Sequence, residues 1–146
     1  MGCKPSVYDK YVYDRKFLTY HFNLFKPMVT NLDIRSKNTI IFQIFDNENR
    51  RIAWLSRSRE TKAWHKQNLK LHKEGLANLK LRYDNSLNTD FSKILGGYQE
   101  IAENTDTLIL VEGLFDKVPV DFNLKLNESE EIKCKFLFGS DISNGQ

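Results

Sequence analysis

The chain has 146 residues, of which 40% are apolar and 28% are charged, a composition typical of a globular domain and unlike that of a disordered chain. It has no apolar run near the roughly 18 residues of a membrane span, no apolar signal segment and only two cysteines, so we expect a cytoplasmic protein without a disulfide scaffold or a membrane partner. The net charge of +3 is unevenly divided, since residues 1–82 hold 17 Lys and Arg against 7 Asp and Glu, whereas residues 83–146 hold 5 against 12.

Residues 1–38 form the first predicted segment, which we expect to be helical or irregular. The segment is rich in aromatic residues without strand alternation, and Pro27 ends any helix that begins near Asp14. The aromatic residues between Tyr8 and Phe25 are expected to lie in the core rather than to stack on bases.

Residues 39–104 form the second predicted segment. Two β-rich runs, Thr39–Phe45 and Arg51–Ser56, enclose a short polar turn and predict a hairpin. The basic stretch 57–82 predicts a partly helical excursion that faces solvent, and its lysines are interpreted as a solvated face. Residues 91–103 predict a short helix interrupted at two glycines.

Residues 105–146 form the third predicted segment. Its continuous apolar run, Thr107–Val111, is typical of a strand buried on both faces of a parallel sheet, and Ile132–Phe138 predicts a second strand. Glu112 and Gly113 follow the first strand at the edge where open α/β sheets bind ligands. A carboxylate there can hold a divalent metal or transfer a proton, although a polar strand end that faces solvent gives the same pattern.

Several short segments, in matching order, resemble bacterial and phage DNA primases of the Toprim family. The run from Leu108 to Asp116 resembles the first Toprim motif, a hydrophobic strand that ends in Glu-Gly with an Asp shortly after. The other segments that carry the resemblance are Ile40–Asp46 with Arg51–Arg57, Arg82–Ser86, Phe91–Gly97 and Gly139–Gln146.

The resemblance implies an α+β fold, with a mixed basic lobe at 39–104 followed by a partial Toprim domain, a Rossmann-like parallel sheet, at 105–146. It implies DNA-templated synthesis of short RNA primers, with Glu112 as catalytic residue and Glu112 and Asp116 as ligands of Mg²⁺ or Mn²⁺. The implied partners are a single-stranded DNA template, nucleoside triphosphates and a replicative helicase. The residues that would bind nucleotide and template are Arg57, Arg59, Arg82, Tyr83, Asn85 and Lys93.

The sequence also departs from the primase pattern. Gln43 stands where the family has proline, Leu55 and Ser56 where it has glycines, and Arg82 where it has lysine. The Asp-x-Asp metal motif does not occur before Gln146, so we expect a catalytic-core fragment or a truncated frame, and enzymatic activity of the chain alone is left open.

Two alternatives to a primase stay open. One is a non-catalytic module that binds single-stranded nucleic acid within the replication machinery. The other is a Toprim relative that cleaves strands, as nucleases and topoisomerases do. The three histidines lack zinc-ligand spacing and are interpreted as surface or packing residues.

Overall fold

The computed structural model describes residues 3–5, 10–30 and 38–138. The last segment that resembles primases, Gly139–Gln146, lies outside the described residues, as does Tyr8. The elements are β1 (Cys3–Pro5), α1 (Lys10–Asp14), α2 (Thr19–Phe25), β2 (Met28–Thr30), β3 (Thr39–Phe45), β4 (Arg51–Ser58), α3 (Lys62–Lys73), β5 (Tyr83–Asn85), β6 (Thr107–Val111), α4 (Leu114–Leu126) and β7 (Ile132–Phe136).

The first five strands form an antiparallel sheet in chain order, and the predicted hairpin is its centre. Strands β3 and β4 pair with Gln43 opposite Trp54, and the turn between them closes where Asp46 accepts hydrogen bonds from the backbone of Glu48 and Arg50. Ile40, Phe42 and Ile44 alternate along β3 and are buried, as the period of two along a strand requires. The hairpin prediction is therefore confirmed.

The last two strands form a separate parallel pair joined by α4, which confirms the predicted mixed α+β fold. The prediction that β6 is buried on both faces is wrong, because Leu108 and Leu110 are 44% and 40% exposed. In the described part of the chain β7 is the sole partner of β6, and α4 packs on both strands. The side chains of Leu108 and Leu110 are therefore only partly covered by the described residues.

A short connection with two glycines links the sheets and replaces the helix predicted for residues 91–103. It contains two 3₁₀ turns, Phe91–Lys93 and Tyr98–Glu100. Gly96 exchanges two backbone hydrogen bonds with Phe136, and a Cβ at Gly96 would overlap the Phe136 ring. Glycine is therefore required here by the close approach of the backbone to an aromatic side chain.

The N-terminal aromatic residues pack into the core between the sheets, as predicted. Phe17 stacks on Phe42 with their ring centroids 5.5 Å apart, and Phe25 contacts Phe136. Tyr13 is the exception, since it is 81% exposed. Among the described helices, none is both long enough and apolar enough to cross a membrane. The segment boundaries at residues 38 and 104 stay predictions.

Candidate functional site

Arg57 is a buried cation on β4 with hydrogen-bonding capacity to spare. Only 3% of the residue is exposed, and its Nε donates a hydrogen bond to the Tyr11 hydroxyl at 3.0 Å. Its Nη1 is buried and has no hydrogen-bond partner among the residues the structure describes. Since an unpaired buried donor is costly, such a guanidinium is suited to an anionic ligand.

Strand β5 places an aromatic ring and a second arginine beside Arg57. The register of β4 and β5 sets Arg57 opposite Tyr83, and the guanidinium carbon of Arg57 lies 3.8 Å from the ring centroid. The backbone carbonyl of Arg82 accepts a hydrogen bond from the backbone N–H of Ser58, and the guanidinium carbon of Arg82 is 5.7 Å from the Tyr83 ring centroid. We call Arg57, Arg82 and Tyr83 the arginine face.

The arginine face combines cationic donors with an accessible ring. The Nε of Arg82 is, like Nη1 of Arg57, buried and without a hydrogen-bond partner in the described chain. No ion pair joins either arginine to a carboxylate among those residues. Tyr83 is 52% exposed and can stack on a planar group. Such a face matches phosphate oxygens and a nucleic-acid base.

His65, interpreted from the sequence as a surface or packing residue, borders the arginine face. Its Nδ1 donates a hydrogen bond to the Lys80 carbonyl at 3.3 Å, and its Nε2 is buried without a partner among the described residues. Burial lowers the pKa of His65, and the positive charges of Arg82, Lys80 and Arg57 lower it further. Both burial and the neighbouring cations therefore favour the neutral form of this imidazole.

Glu112 lies on the turn between β6 and α4, Asp116 lies in the first turn of α4, and both are exposed. Gly113 caps the helix, and its carbonyl accepts hydrogen bonds from the backbone N–H groups of Asp116 and Lys117 at 3.1 Å. Gly113 has a φ of −148°, which is extended backbone that any residue adopts. The role of the turn therefore rests on its carboxylates and not on the glycine.

Phe115 anchors this turn to the five-stranded sheet. Its ring contacts Phe42 edge-on at a centroid distance of 5.6 Å and Tyr11 at 6.4 Å. The guanidinium carbon of Arg57 is 5.6 Å from the same ring. The structure thus places Arg57 beside the helix start that carries Asp116, although 59 positions separate the two residues in the sequence.

The predicted metal ligands do not form a metal site by themselves. Within the described residues, no group of three His, Cys, Asp or Glu side chains is arranged to hold a metal ion. Glu112 and Asp116 are two carboxylates, whereas Mg²⁺ takes about six oxygen ligands. The metal role of both residues stays a prediction.

The remaining predicted site residues are less closely joined to the arginine face. Asn85 is exposed at the end of β5, and the backbone N–H of Arg59 bonds the Asn38 carbonyl just beyond β4. Lys93 is exposed on its own 3₁₀ turn and pairs with Asp90 at 3.2 Å. Arg57, Arg82 and Tyr83 therefore form the compact part of the predicted set.

A buried charge cluster behind the turn was missed by the sequence analysis. Lys117 Nζ is fully buried and lies 2.6 Å from Asp121 Oδ2, 2.8 Å from Glu100 Oε2 and 2.7 Å from the Cys134 carbonyl. Lys135 Nζ, equally buried, binds the same Glu100 oxygen at 2.7 Å. The cluster ties α4 and β7 to the glycine-containing connection.

His21 extends the buried charge cluster to α2. Its Nδ1 accepts a hydrogen bond from the Leu18 backbone, so its Nε2 donates to Asp121 Oδ2 at 2.8 Å. Burial by itself raises the pKa of Asp121, but hydrogen bonds from His21 and Lys117 together with the lysine charge bring this pKa below its ordinary value. Asp121 is thus a carboxylate that joins α4 to α2, two elements distant in sequence.

The fold is similar to that of DnaG primase cores. One solved structure with a similar fold is a DnaG catalytic core, with a TM-score of 0.57 and 17% sequence identity; the match covers 89% of this chain and 46% of that one. Another is a DnaG primase catalytic domain bound to ssDNA, with a TM-score of 0.58 and 16% identity; the match covers 93% of this chain and 49% of that one. A third is the Aquifex aeolicus primase, comprising its zinc-binding and RNA polymerase domains, with a TM-score of 0.62 and 16% identity; the match covers 98% of this chain and 39% of that one. The chain thus spans less than half the length of each. No protein-family model and no curated protein matches it in sequence.

Proposed function

We propose that this chain is the nucleotide- and template-binding part of a primase-type catalytic core, which makes short RNA primers on single-stranded DNA. One observation carries the proposal: Arg57 is buried against Tyr83, its Nη1 has no hydrogen-bond partner among the described residues, and it lies beside the start of α4, which follows Glu112 and carries Asp116. The shared fold with primase cores supports the same assignment, and one of those structures is bound to ssDNA.

In this proposal the arginines hold phosphate oxygens. Arg57 is oriented by its bond to Tyr11 and its contact with Tyr83, so little side-chain entropy remains to be lost when a phosphate binds. Arg82 supplies a second planar donor from the next strand. Neither guanidinium has a carboxylate partner in the described part of the chain, and two such groups are suited to a triphosphate or to the backbone of a strand.

Tyr83 and Asn85 contact the other parts of a nucleotide. The half-exposed Tyr83 ring is available for stacking on a base, a contact that tolerates every base because each has a π-face. Asn85 follows two residues later on β5, so its side chain lies on the same face of the strand as Tyr83. Its amide can bond a sugar hydroxyl or a base edge.

Glu112 provides the carboxylate for the reaction. Exposed after β6, it is accessible to a hydroxyl group of a substrate and can accept that group's proton. Asp116 lies one helical turn away, with its Oδ2 directed back towards Gly113. Two carboxylates near bound phosphates also provide part of a divalent-metal site, which further ligands must complete.

A non-catalytic module for binding single strands is the second candidate. The observation that favours it is the same pair of carboxylates, because the described residues offer no third metal ligand beside them. Under this alternative the arginine face binds a strand for other proteins and Glu112 has no chemical role.

An oligoribonucleotide synthesis assay separates the two candidates. The full chain is given a single-stranded template, nucleoside triphosphates and Mg²⁺ or Mn²⁺, with EDTA in a parallel reaction. The catalytic proposal expects EDTA-sensitive products that Glu112→Gln reduces at least about 100-fold, in the range seen when a catalytic acid or base is removed. Glu103→Gln serves as the control, because it removes the same charge from an exposed loop position.

Each outcome of the assay assigns a role. Products that persist at wild-type level in Glu112→Gln refute the catalytic role of Glu112. An absence of products, combined with salt-sensitive binding of the template, supports the binding module. If the chain neither makes products nor binds single strands, both candidates are wrong.

A further inference from the structure

The connection between β4 and β5 is far longer than pairing requires. Adjacent antiparallel strands are usually joined by loops of about two to five residues, yet here residues 59–82 intervene and contain the twelve-residue helix α3. The connection leaves the sheet two residues after Arg57 and returns to it at Arg82. Both of its ends therefore lie at the arginine face.

The inner side of α3 is fastened by polar side chains. Asn68 donates to the Asn78 carbonyl at 3.0 Å and accepts from the Lys80 backbone at 2.9 Å. His72 Nδ1 lies 3.1 Å from the Ala77 carbonyl, and His65 is bonded to the Lys80 carbonyl. These contacts, at positions spaced three and four residues apart, hold the helix against its own return segment and fix which side faces outward.

The outer side of α3 carries four lysines, Lys62, Lys66, Lys70 and Lys73, which we call the lysine stripe. All four are exposed. Their spacing of four, four and three residues places them within about 80° of arc over a length of about 16 Å. The helix contains no acidic residue, and the one ion pair described for the stripe joins Lys70 to Glu74 beyond the helix end at 4.0 Å.

We propose that the lysine stripe binds the phosphodiester backbone of a single-stranded nucleic acid, and that the stripe and the arginine face bind the same strand. The inference rests on the proposed function and adds a second contact region to it. A face of one sign on a fastened helix complements a polyanion, whereas a surface that serves solubility usually mixes both signs. Because the connection that contains α3 leads back to Arg82, the strand bound at the arginine face is the ligand we assign to the lysine stripe.

The test is the salt dependence of strand binding. Fluorescence anisotropy with a labelled single-stranded oligonucleotide gives the affinity at several salt concentrations. Each phosphate contact contributes about 0.7 to the slope of log K against log salt concentration, so Lys66→Gln/Lys70→Gln is expected to reduce the slope by about 1.4. Glutamine keeps the helix propensity of lysine. The control, Lys10→Gln/Lys125→Gln, removes the same charge from exposed positions on α1 and α4.

A lower slope for the stripe variant with an unchanged slope for the control is the expected result. Equal slopes for the two variants overturn the inference. The inference is also wrong if polyglutamate competes as well as unlabelled oligonucleotide does, because the surface would then fit an acidic protein. If Arg57→Gln weakens binding and the stripe variant does not, the inference is wrong while the proposed function stands. If the wild-type chain binds no strand, both are wrong.

Discussion

The guanidinium of Arg57 lies 3.8 Å from the centroid of the Tyr83 ring on the neighbouring strand. Such contacts stabilise by about 0.5–2 kcal/mol, and here the ring also fixes the plane of the guanidinium. Because Nε is bonded to Tyr11, Nη1 is the donor of this guanidinium that is buried without a hydrogen-bond partner among the described residues. We propose that Arg57 binds an anion and that the Tyr83 ring stacks on a base.

Replacing Tyr83 separates stacking from charge. Tyr83→Ala is expected to weaken binding of a single-stranded oligonucleotide by about 5- to 150-fold, because stacking of one base contributes roughly 1–3 kcal/mol. The slope against salt concentration should stay close to that of the wild type, since no cation is removed. Tyr83→Phe keeps the ring and should bind nearly as the wild type does. Equal losses for both variants would show that the hydroxyl, and not the ring, makes the contact.

The buried charge cluster makes stability sensitive to Lys117. Lys117→Met leaves Asp121 and Glu100 buried without their shared cation, and we expect the free energy of unfolding to fall by about 3–5 kcal/mol. Urea denaturation followed by circular dichroism measures the change. Lys125→Met, an exposed position on the same helix, should alter stability by less than about 0.5 kcal/mol. Similar values for the two variants would contradict the role given to the cluster.

Cys134 should be chemically inert in the folded chain. Burial raises the pKa of its thiol to about 12, so the reactive thiolate is scarce and shielded at pH 8. Alkylation of Cys134 by iodoacetamide, followed by mass spectrometry, should be at least about 100-fold slower in the native chain than in urea. Rapid native alkylation would contradict its burial between α4 and the core.

The same raised pKa predicts the sign of a pH effect. The folded chain retains the Cys134 proton up to higher pH than the unfolded chain, whose thiol titrates near 9.0. This group's contribution to stability is therefore fully present below pH 9 and is lost as pH rises towards 12. Cys134→Ala should make the unfolding free energy less dependent on pH in that window.

Local patterns were sufficient for much of the fold. Alternation along Thr39–Phe45 and the polar turn after it define the β3–β4 hairpin, and the apolar run Thr107–Val111 defines β6. These signals lie within single segments, so no knowledge of distant contacts is needed. Exposure of Leu108 and Leu110 could not be predicted, because burial depends on which neighbours a strand acquires.

The site was predictable only in part for the same reason. Arg57, Arg82 and Tyr83 were identified by their resemblance to primase segments, but their mutual contact depends on the register of β4 and β5. His21 and Asp121 are 100 positions apart, and no sequence pattern joins them. Lys117 and Asp121 did carry a signal, an (i, i+4) charge pair, but such pairs are usually exposed on helices and give no sign of burial.

A double variant shows whether the arginine face holds the phosphates of a single strand. Arg57→Gln/Arg82→Gln removes both guanidiniums, and circular dichroism verifies that the variant is folded. We predict at least a 100-fold loss of affinity, since a hydrogen bond to a charged group contributes about 1.5–3 kcal/mol, and a salt slope lower by about 1.4. A folded variant with wild-type affinity and slope would show that the arginine face does not bind the strand.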